Sequence, residues 1–446
     1  MGVMKRDFYT RVAAWMLVIV AVGVVVHAPL MVWLSTVWAD GANYAKAWKE
    51  ILTAVALVAV LVEAYRRGKV REFLRDRLVQ LSLAYAVLHF VVLGLLWNGV
   101  EQAQAGLLID LRYVLYFVVL YMLLRLEPGY GKWLLKAYAV GAVVVLGFAV
   151  LQATVLPRDI LAGIGYSRST ISPYLLVDDN PALVRINSTL RGPNPLGAYA
   201  VVVLGFAVAI AMKQRLGKRE KILLAVMSFA AAFALVASYS RSSLLAAGAA
   251  IVVAGLVPLG GKLRKRMALW CAVMILATGM VLWAARDSYF VSNVIMHNNP
   301  ATGAAIDSNQ GHVDSLYDGT ARVLAQPLGA GVGSTGSASL LGEEPLIIEN
   351  QYLFIAHEIG WLGLALYSWL YVEVMWRLWK QRGKVLALGT FAGGVGLAFV
   401  GLLLPVWVDD TVSILWWGLA AIAIVGVGKG TVYGKRASHK KTARTA

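Results

Sequence analysis

The chain has 446 residues, of which 59% are hydrophobic and only 15% are charged, and its formal net charge is +17. Soluble domains are typically about one quarter charged, so this composition excludes an ordinary soluble protein and indicates an integral membrane protein. A large positive charge also suggests a nucleic-acid partner, but the distribution of the basic residues excludes that interpretation.

Apolar runs follow one another along the whole chain, and each is about long enough to cross the hydrocarbon core of a bilayer. The sequence therefore predicts an all-α membrane protein, a single polytopic domain over 1–446 with about twelve transmembrane helices. The first run is too long for the apolar region of a signal peptide, and we interpret it as a membrane anchor. The predicted spans are 12–35, 48–65, 78–97, 107–125, 133–156, 195–212, 221–238, 242–258, 267–285, 351–376, 385–404 and 411–428.

The basic residues indicate the orientation of these spans. With twelve crossings, both termini lie on one side, and that side has 31 of the 41 Lys and Arg residues. The positive-inside rule then places both termini in the cytoplasm. Most of the positive charge is therefore a topology signal, and the basic cytoplasmic tail 435–446 is expected near anionic lipid headgroups.

Two connections, 157–194 and 286–350, are much longer than the others, and both fall on the external, periplasmic side. Long loops in compact proteins are usually functional or disordered. Both contain aromatic and aliphatic residues, so we expect them to be ordered. Apolar spacing predicts a short helix over 314–326, followed by a flexible turn at Gly329, Gly331 and Gly333.

Two arginines run against the topology bias because they lie on the external side. Arg241 falls in a tight turn between two helices, and Arg191 lies just before Pro195, where a helix is expected to begin. A guanidinium binds oxyanions bidentately, and a helix N-terminus attracts anions. The pattern predicts a phosphate-binding site, although Arg241 in contact with headgroups and a solvated Arg191 are plainer alternatives. Arg168 and Arg185 either extend the patch or are surface charges.

Two residues are candidates for a general base, which needs a carboxylate or an imidazole within hydrogen-bond reach of a substrate hydroxyl. Glu349 precedes the helix that begins near Asn350, and it is either a base or a helix-capping acid. His312 lies in the second long loop, where a structural role is equally open. We prefer Glu349 as the base.

Other ionisable residues support weaker hypotheses. His89 lies inside an apolar run, where we expect a buried hydrogen bond. Asp110 and Arg112 are interpreted as a local ion pair. Adjacent carboxylates are weak candidates for a divalent-ion site, and they occur at 178–179 and 409–410.

Three motifs together resemble a known family. They are Ser188-Thr189-Leu190-Arg191-Gly192-Pro193-Asn194-Pro195-Leu196-Gly197, then Ser238-Tyr239-Ser240-Arg241-Ser242, then the stretch from Gln326 to Gly363. In this order and placement they resemble the O-antigen ligases, a group related to O-antigen polymerases and protein O-oligosaccharyltransferases. Such ligases commonly show His-[Asn/Ser/Gln]-x9-Gly-x-x-Gly at the last site. Here Asn350, Gly360 and Gly363 fit that pattern, whereas Glu349 occupies the His position.

The resemblance implies a membrane-embedded, GT-C-like glycosyltransferase of the bacterial inner membrane that is metal-independent, inverting and without a cofactor. It would transfer a glycan from undecaprenyl diphosphate to a sugar of lipid A–core on the periplasmic face. Arg191 and Arg241 would bind the diphosphate, Glu349 would be the base, and His312 would orient the acceptor or contact the diphosphate. Further candidates for substrate contact are Asn350, Tyr352, Arg185 and Arg322.

Three alternatives to this function remain open. An O-antigen polymerase or a protein O-oligosaccharyltransferase would use the same donor with a different acceptor. A transporter or flippase is the alternative outside enzymes. Transporters often place ionisable sites near the membrane midplane, whereas the polar candidates here cluster at one surface, which favours an enzyme.

Overall fold

The computed structural model describes residues 8–38, 41, 45–167, 170, 176–177, 180–289, 291–292 and 308–427. Within these ranges the chain is almost entirely helical, so the predicted all-α integral membrane fold is confirmed. The predictions for Arg168, for the carboxylate pair at 178–179 and for the tail 435–446 concern residues outside the described ranges.

Every predicted apolar run coincides with helix, and in the first run a 3-10 turn at Val24–Val26 separates two helices. In chain order the helices are α1 (Phe8–Gly23), α2 (His27–Val37), α3 (Trp48–Arg66), α4 (Val70–Leu74), α5 (Arg77–Leu95), α6 (Val100–Leu126), α7 (Gly131–Thr154), α8 (Pro193–Lys213), α9 (Lys218–Ala237), α10 (Arg241–Leu256), α11 (Gly261–Ala284), α12 (Ser308–Ala325), α13 (Gly336–Ser339), α14 (Gln351–Lys380), α15 (Val385–Gly401) and α16 (Asp410–Val425).

Eight helical segments of the described chain are long and apolar enough to cross a membrane, counting α1 and α2 as one segment. The helices α10, α15 and α16 are shorter but also apolar, and α3 corresponds to the remaining predicted span. None of the residues of α11 is buried. An apolar helix exposed on all sides is suited to a lipid environment, since its backbone groups are paired within the helix.

The central helix of the bundle is α16, in which every residue from Thr411 to Ala423 is buried. Aromatic side chains of α14 and α16 pack against one another here. Some of their polar atoms bond to backbone groups, as buried Tyr and Trp usually do, whereas Trp417 Nε1 is buried without a partner among the described residues. Trp416 Nε1 donates to Thr390 O (2.9 Å), and Tyr371 OH donates to Gly394 O (2.7 Å). This packed core fixes the positions of the helix ends.

Helix α14 is broken near its N-terminal end, where Gly360 has φ +71° and ψ −176°. The loop before it supplies new hydrogen-bond partners for the broken turn. Ala330 N donates to His357 O (2.6 Å), and Trp361 N donates to Pro327 O (3.0 Å). A Cβ at position 360 would lie 2.6 Å from Pro327 O, so this close approach and the positive φ both require glycine.

The two long connections meet at one end of the bundle, which we call the loop face. The first contains a 3-10 turn at Ile160–Ile164 and an antiparallel hairpin of β1 (Leu176–Val177) and β2 (Asn180–Val184), a small departure from an all-helical prediction. The second contains α12, so the helix predicted over 314–326 is confirmed and begins earlier, at Ser308. The helices α8, α10, α14 and α16 begin at this face.

Candidate functional site

A strained turn at the start of α8 presents Arg191. Ser188 in this turn has φ +52°, a left-handed conformation that costs a non-glycine residue roughly 1–2 kcal/mol. Its Oγ donates to Val145 O (2.6 Å), and its backbone N donates to Gln152 Oε1 (2.8 Å). Strain of this kind persists where the surroundings enforce it and often marks functional sites.

Arg191 lines a cavity of about 190 Å³ at the loop face. One wall is the N-terminus of α8, where Pro193 and Pro195 carry no N–H, so the helix dipole and Arg191 supply the positive charge that favours anions there. The opposite wall is the segment between α15 and α16. The lining residues are Arg191, Gly192, Pro193, Asn194, Pro195, Ala198, Val400, Leu404, Pro405, Val406, Val408, Asp409 and Val412.

Arg191 and Asp409 both line this cavity, and the charge of each affects the pKa of the other. Arg191 is exposed where it faces the cavity, but the protein around it excludes bulk water and lowers its pKa, an effect that Asp409 opposes. Burial likewise raises the pKa of Asp409, against the hydrogen bond from Val412 N and the charge of Arg191. Arginine stays protonated in proteins, so Arg191 is a permanent cation in this cavity.

Arg185 joins the first motif to the second. Its buried guanidinium donates from Nε to Ser238 O (2.8 Å) and from Nη2 to Asn194 Oδ1 (2.5 Å). Tyr239 follows with φ +51°, so this turn is strained as well. Arg185 therefore holds the start of α8 beside the turn that leads into α10.

The N-termini of α8 and α10 touch each other. A Cβ on Gly197 would lie 2.6 Å from Ser243 Oγ and 2.9 Å from Ser240 Cβ, so the small residues of both motifs permit this approach. Arg241 is the first residue of α10, is partly buried and interacts with its surroundings. The fold thus brings two helix N-termini, each with an arginine, to one place.

The two candidates for the general base are in direct contact, because His312 Nδ1 pairs with Glu349 Oε2. Each side chain is about one third exposed, at 35% and 36%. The backbone around the pair is fixed as well, since Glu349 N donates to Ser315 Oγ of α12 (3.1 Å). An imidazole held by a carboxylate is a common arrangement for proton transfer, in which the carboxylate fixes the tautomer.

Asn350 and Tyr352 connect this pair to the wall of the cavity. Asn350 Oδ1 caps α14 by accepting from Tyr352 N (2.9 Å) and Leu353 N (3.0 Å), while Nδ2 donates to Leu402 O (2.8 Å). Tyr352 OH donates to Ala398 O (3.0 Å). Their polar atoms therefore position the backbone at the start of α14 and the end of α15.

Arg322 lies on the surface of α12. Its Nε donates to Asp318 Oδ2 (2.8 Å), and both side chains are exposed. Exposed pairs of this kind contribute about 0.2–1 kcal/mol to stability. In the described structure Arg322 therefore pairs with Asp318, a residue one helical turn before it.

A buried ion cluster lies beside the cavity and joins α2, α3, α6 and α16. Arg112 Nε donates to Glu50 Oε1 (2.5 Å), and the same guanidinium contacts Asp410. Lys49 Nζ and His27 Nε2 lie 2.9 Å and 3.2 Å from Asp410 Oδ2. The cluster fixes the first residue of α16, and with it the neighbouring wall of the cavity.

The predicted local ion pair of Asp110 with Arg112 is wrong, because residues two apart on a helix do not face each other. Asp110 instead lies beside Glu358, with His89 Nε2 3.8 Å from its Oδ2. His89 Nδ1 donates to Tyr85 O (2.8 Å), which confirms the predicted buried hydrogen bond. No group of three or more His, Cys, Asp or Glu placed to hold a metal ion occurs in the described part of the chain.

A protein-family model described as O-Antigen ligase matches residues 225–368. This segment includes the arginine turn at Arg241, the His312–Glu349 pair and the break in α14. We call this matched segment, residues 225–368, the ligase domain. The resemblance seen in the sequence is thus confirmed, and the family implies a glycosyltransferase-like activity on lipid-linked polysaccharide. Curated proteins gave no match.

Two features at or beside the ligase domain were not predicted. The pairing of His312 with Glu349 depends on how α12 folds back onto α14, for which the sequence has no local signal. The position of Asp409 opposite Arg191 depends on packing between α8 and α16. Asp409 lies beyond the ligase domain, and its sequence context indicates only a weak divalent-ion pair with Asp410.

Proposed function

We propose that the protein transfers a glycan from undecaprenyl diphosphate to a sugar hydroxyl of lipid A–core. The ligase domain supports the class of reaction, and one observation carries the proposal. A carboxylate–imidazole pair, His312 with Glu349, shares the loop face with two arginine-bearing helix N-termini. Such a face offers an anion site for a leaving diphosphate and a base for an attacking hydroxyl.

The reaction follows from these charges. The acceptor oxygen attacks the anomeric carbon as the bond from that carbon to the diphosphate breaks, and the bonding electrons pass to the leaving phosphate oxygen. Arg191 and Arg241 stabilise the negative charge where it develops. Attack opposite the diphosphate inverts the anomeric centre. The acceptor proton passes to the His312–Glu349 pair.

Within the pair we assign His312 Nε2 as the atom that accepts the proton of the acceptor hydroxyl. Glu349 faces Nδ1, so it holds the ring with a proton on Nδ1, leaves Nε2 as the acceptor and stabilises the imidazolium that forms. Histidine is also the stronger base of the two residue types near neutral pH. Glu349 acting alone is the second candidate, since it occupies the position of the family's histidine.

We further propose that the loop face is periplasmic and that both termini are cytoplasmic, in the bacterial inner membrane. The distribution of 31 basic residues on one side and 10 on the other supports this orientation. The polyprenyl tail and the acyl chains of the acceptor would then lie in the bilayer beside the bundle. An O-antigen polymerase or a protein O-oligosaccharyltransferase differs from this proposal in the acceptor alone.

The reaction itself can be tested with purified protein reconstituted in liposomes with a lipid-linked glycan and lipid A–core. We expect glycosylated lipid A–core to form at the same rate with and without a chelator. Glycan added to another lipid-linked glycan would identify a polymerase, and glycan added to a protein acceptor would identify a protein transferase. Movement of the donor across the membrane without transfer would identify a flippase.

Orientation can be tested by cysteine labelling in a Cys271→Ser background. Ser167→Cys and Glu344→Cys, one in each long connection, should react with a membrane-impermeant thiol reagent in intact spheroplasts. Gly383→Cys, between α14 and α15 at the opposite end, should react only after lysis. The reverse pattern would place the loop face in the cytoplasm.

Alanine at Arg191 or Arg241 should lower transfer at least about tenfold, because each charge-assisted bond to a phosphate contributes about 1.5–3 kcal/mol. Lysine should rescue poorly, since it lacks the bidentate fork. Arg286→Ala, at an exposed arginine that follows α11, is the matched control. Full activity of both alanine variants at normal expression would remove these arginines from the site.

Substitutions in the pair distinguish the two assignments of the base. His312→Ala should lose about a hundredfold or more in turnover, within the range of general-base catalysis, and Glu349→Gln should lose less. Asp318→Asn, an exposed carboxylate on the same helix, is the control. Near-normal turnover of His312→Ala with an inactive Glu349→Gln would make Glu349 the base, and activity in both variants would exclude the pair.

A further inference from the structure

Two buried carboxyl groups face each other behind the active site. Glu358 of α14 and Asp110 of α6 have exposed fractions of 1% and 7%, and their side chains are adjacent. Glu358 Oε2 and Asp110 Oδ2 are both buried without a hydrogen-bond donor among the described residues. Ionisable groups at membrane depth are costly, so a pair of them needs a physical reason.

One proton shared by the pair supplies such a reason. Two carboxylates side by side in a low-dielectric interior repel each other and are poorly solvated. A proton shared by the two side chains would remove one charge and would provide a partner for their unpaired oxygens, as in other carboxyl pairs that hold a single proton.

The other oxygen of Glu358 contacts the loop before the active site. Oε1 accepts from Gly333 N (3.1 Å) and Thr335 N (3.4 Å). Gly333 has φ +79°, and a Cβ there would lie 2.2 Å from Gln102 O of α6. The loop therefore packs closely between α6 and α14, and the two hydrogen bonds to the Glu358 carboxyl fix its position.

Thr335 links the Glu358 carboxyl to the chain segment that leads to Glu349. Its Oγ1 donates to Leu346 O (3.0 Å) and accepts from Ile348 N (3.2 Å). Ile348 is buried and directly precedes Glu349. A continuous series of hydrogen bonds thus runs from Glu358 through Thr335 to the residue before Glu349.

We propose that Glu358, which shares one proton with Asp110, is a positioning residue that sets the place of Glu349 through Thr335. This role rests on the proposed function, because it matters for catalysis only if the His312–Glu349 pair acts as the base. Neither carboxyl touches the reacting atoms. Displacing a catalytic group by a fraction of an ångström is a known way for a remote substitution to reduce turnover.

Kinetics of substituted proteins test the role. Glu358→Ala removes the acceptor for Gly333 and Thr335, so kcat should fall at least about tenfold. KM for the lipid-linked donor should stay within about twofold, because donor binding is separate from this anchor. Glu358→Gln should keep near-normal kcat, since its amide oxygen still accepts from the loop and its NH₂ donates to Asp110. Asp110→Asn should be tolerated for the same reason.

Two comparisons separate positioning from general damage. Glu373→Ala removes another buried glutamate of α14, which pairs with Arg377 (2.9 Å) near the opposite end of the helix, and it should not reproduce the loss of kcat. Thr335→Val and Glu358→Ala should be non-additive when combined, because both interrupt one series of contacts. Additive losses, or an equal loss in Glu373→Ala, would overturn the proposal.

Hydrogen exchange followed by mass spectrometry gives a readout that does not depend on transfer. In Glu358→Ala the backbone amides of 346–350 should exchange faster than in the unsubstituted protein, whereas Glu358→Gln should leave them unchanged. Unchanged exchange in Glu358→Ala would refute the anchor even if transfer falls. Faster exchange with no loss of transfer would retain the anchor and count against the His312–Glu349 pair as the base.

Discussion

The hydrogen bonds between the loop 327–335 and the broken turn of α14 hold the loop face together. A break in a membrane helix leaves backbone N–H and C=O groups without partners, and such a break persists only where protein supplies new ones. Here the loop pairs with the backbone on both sides of Gly360 and with the Glu358 carboxyl. The chain that continues from the loop to Glu349 therefore leaves the bundle at a fixed position.

The second constraint on this face is electrostatic. Two helices begin side by side, each with a partial positive charge at its N-terminus, and each carries an arginine in its first turn or just before it. A residue with a strained backbone conformation precedes each arginine closely in the sequence, Ser188 before Arg191 and Tyr239 before Arg241. An anionic leaving group at a membrane surface needs such an arrangement, because charges that are already oriented cost no reorganisation during the reaction.

The sequence predicted the helices well because hydropathy over about 20 residues decides which segments enter a bilayer. It also predicted the two arginine turns, since both carry local motifs. It failed for Arg112, whose partners are on α3 and α16 rather than two residues away. From the sequence, His312 and Glu349 are alternative candidates for the general base, whereas in the fold their side chains form a pair. Such contacts depend on tertiary packing across distant segments, which no local pattern reports.

In the proposed mechanism a lipid-linked diphosphate binds between the two arginine-bearing helix N-termini, with its sugar facing the His312–Glu349 pair. A cryo-EM structure of the His312→Ala protein in lipid nanodiscs with the undecaprenyl-diphosphate-linked glycan tests this most directly. We expect density for the diphosphate against Arg191 and Arg241, with the anomeric carbon turned towards Glu349. Density for the diphosphate at the opposite end of the bundle, or at the loop face away from both arginines, would contradict this mechanism.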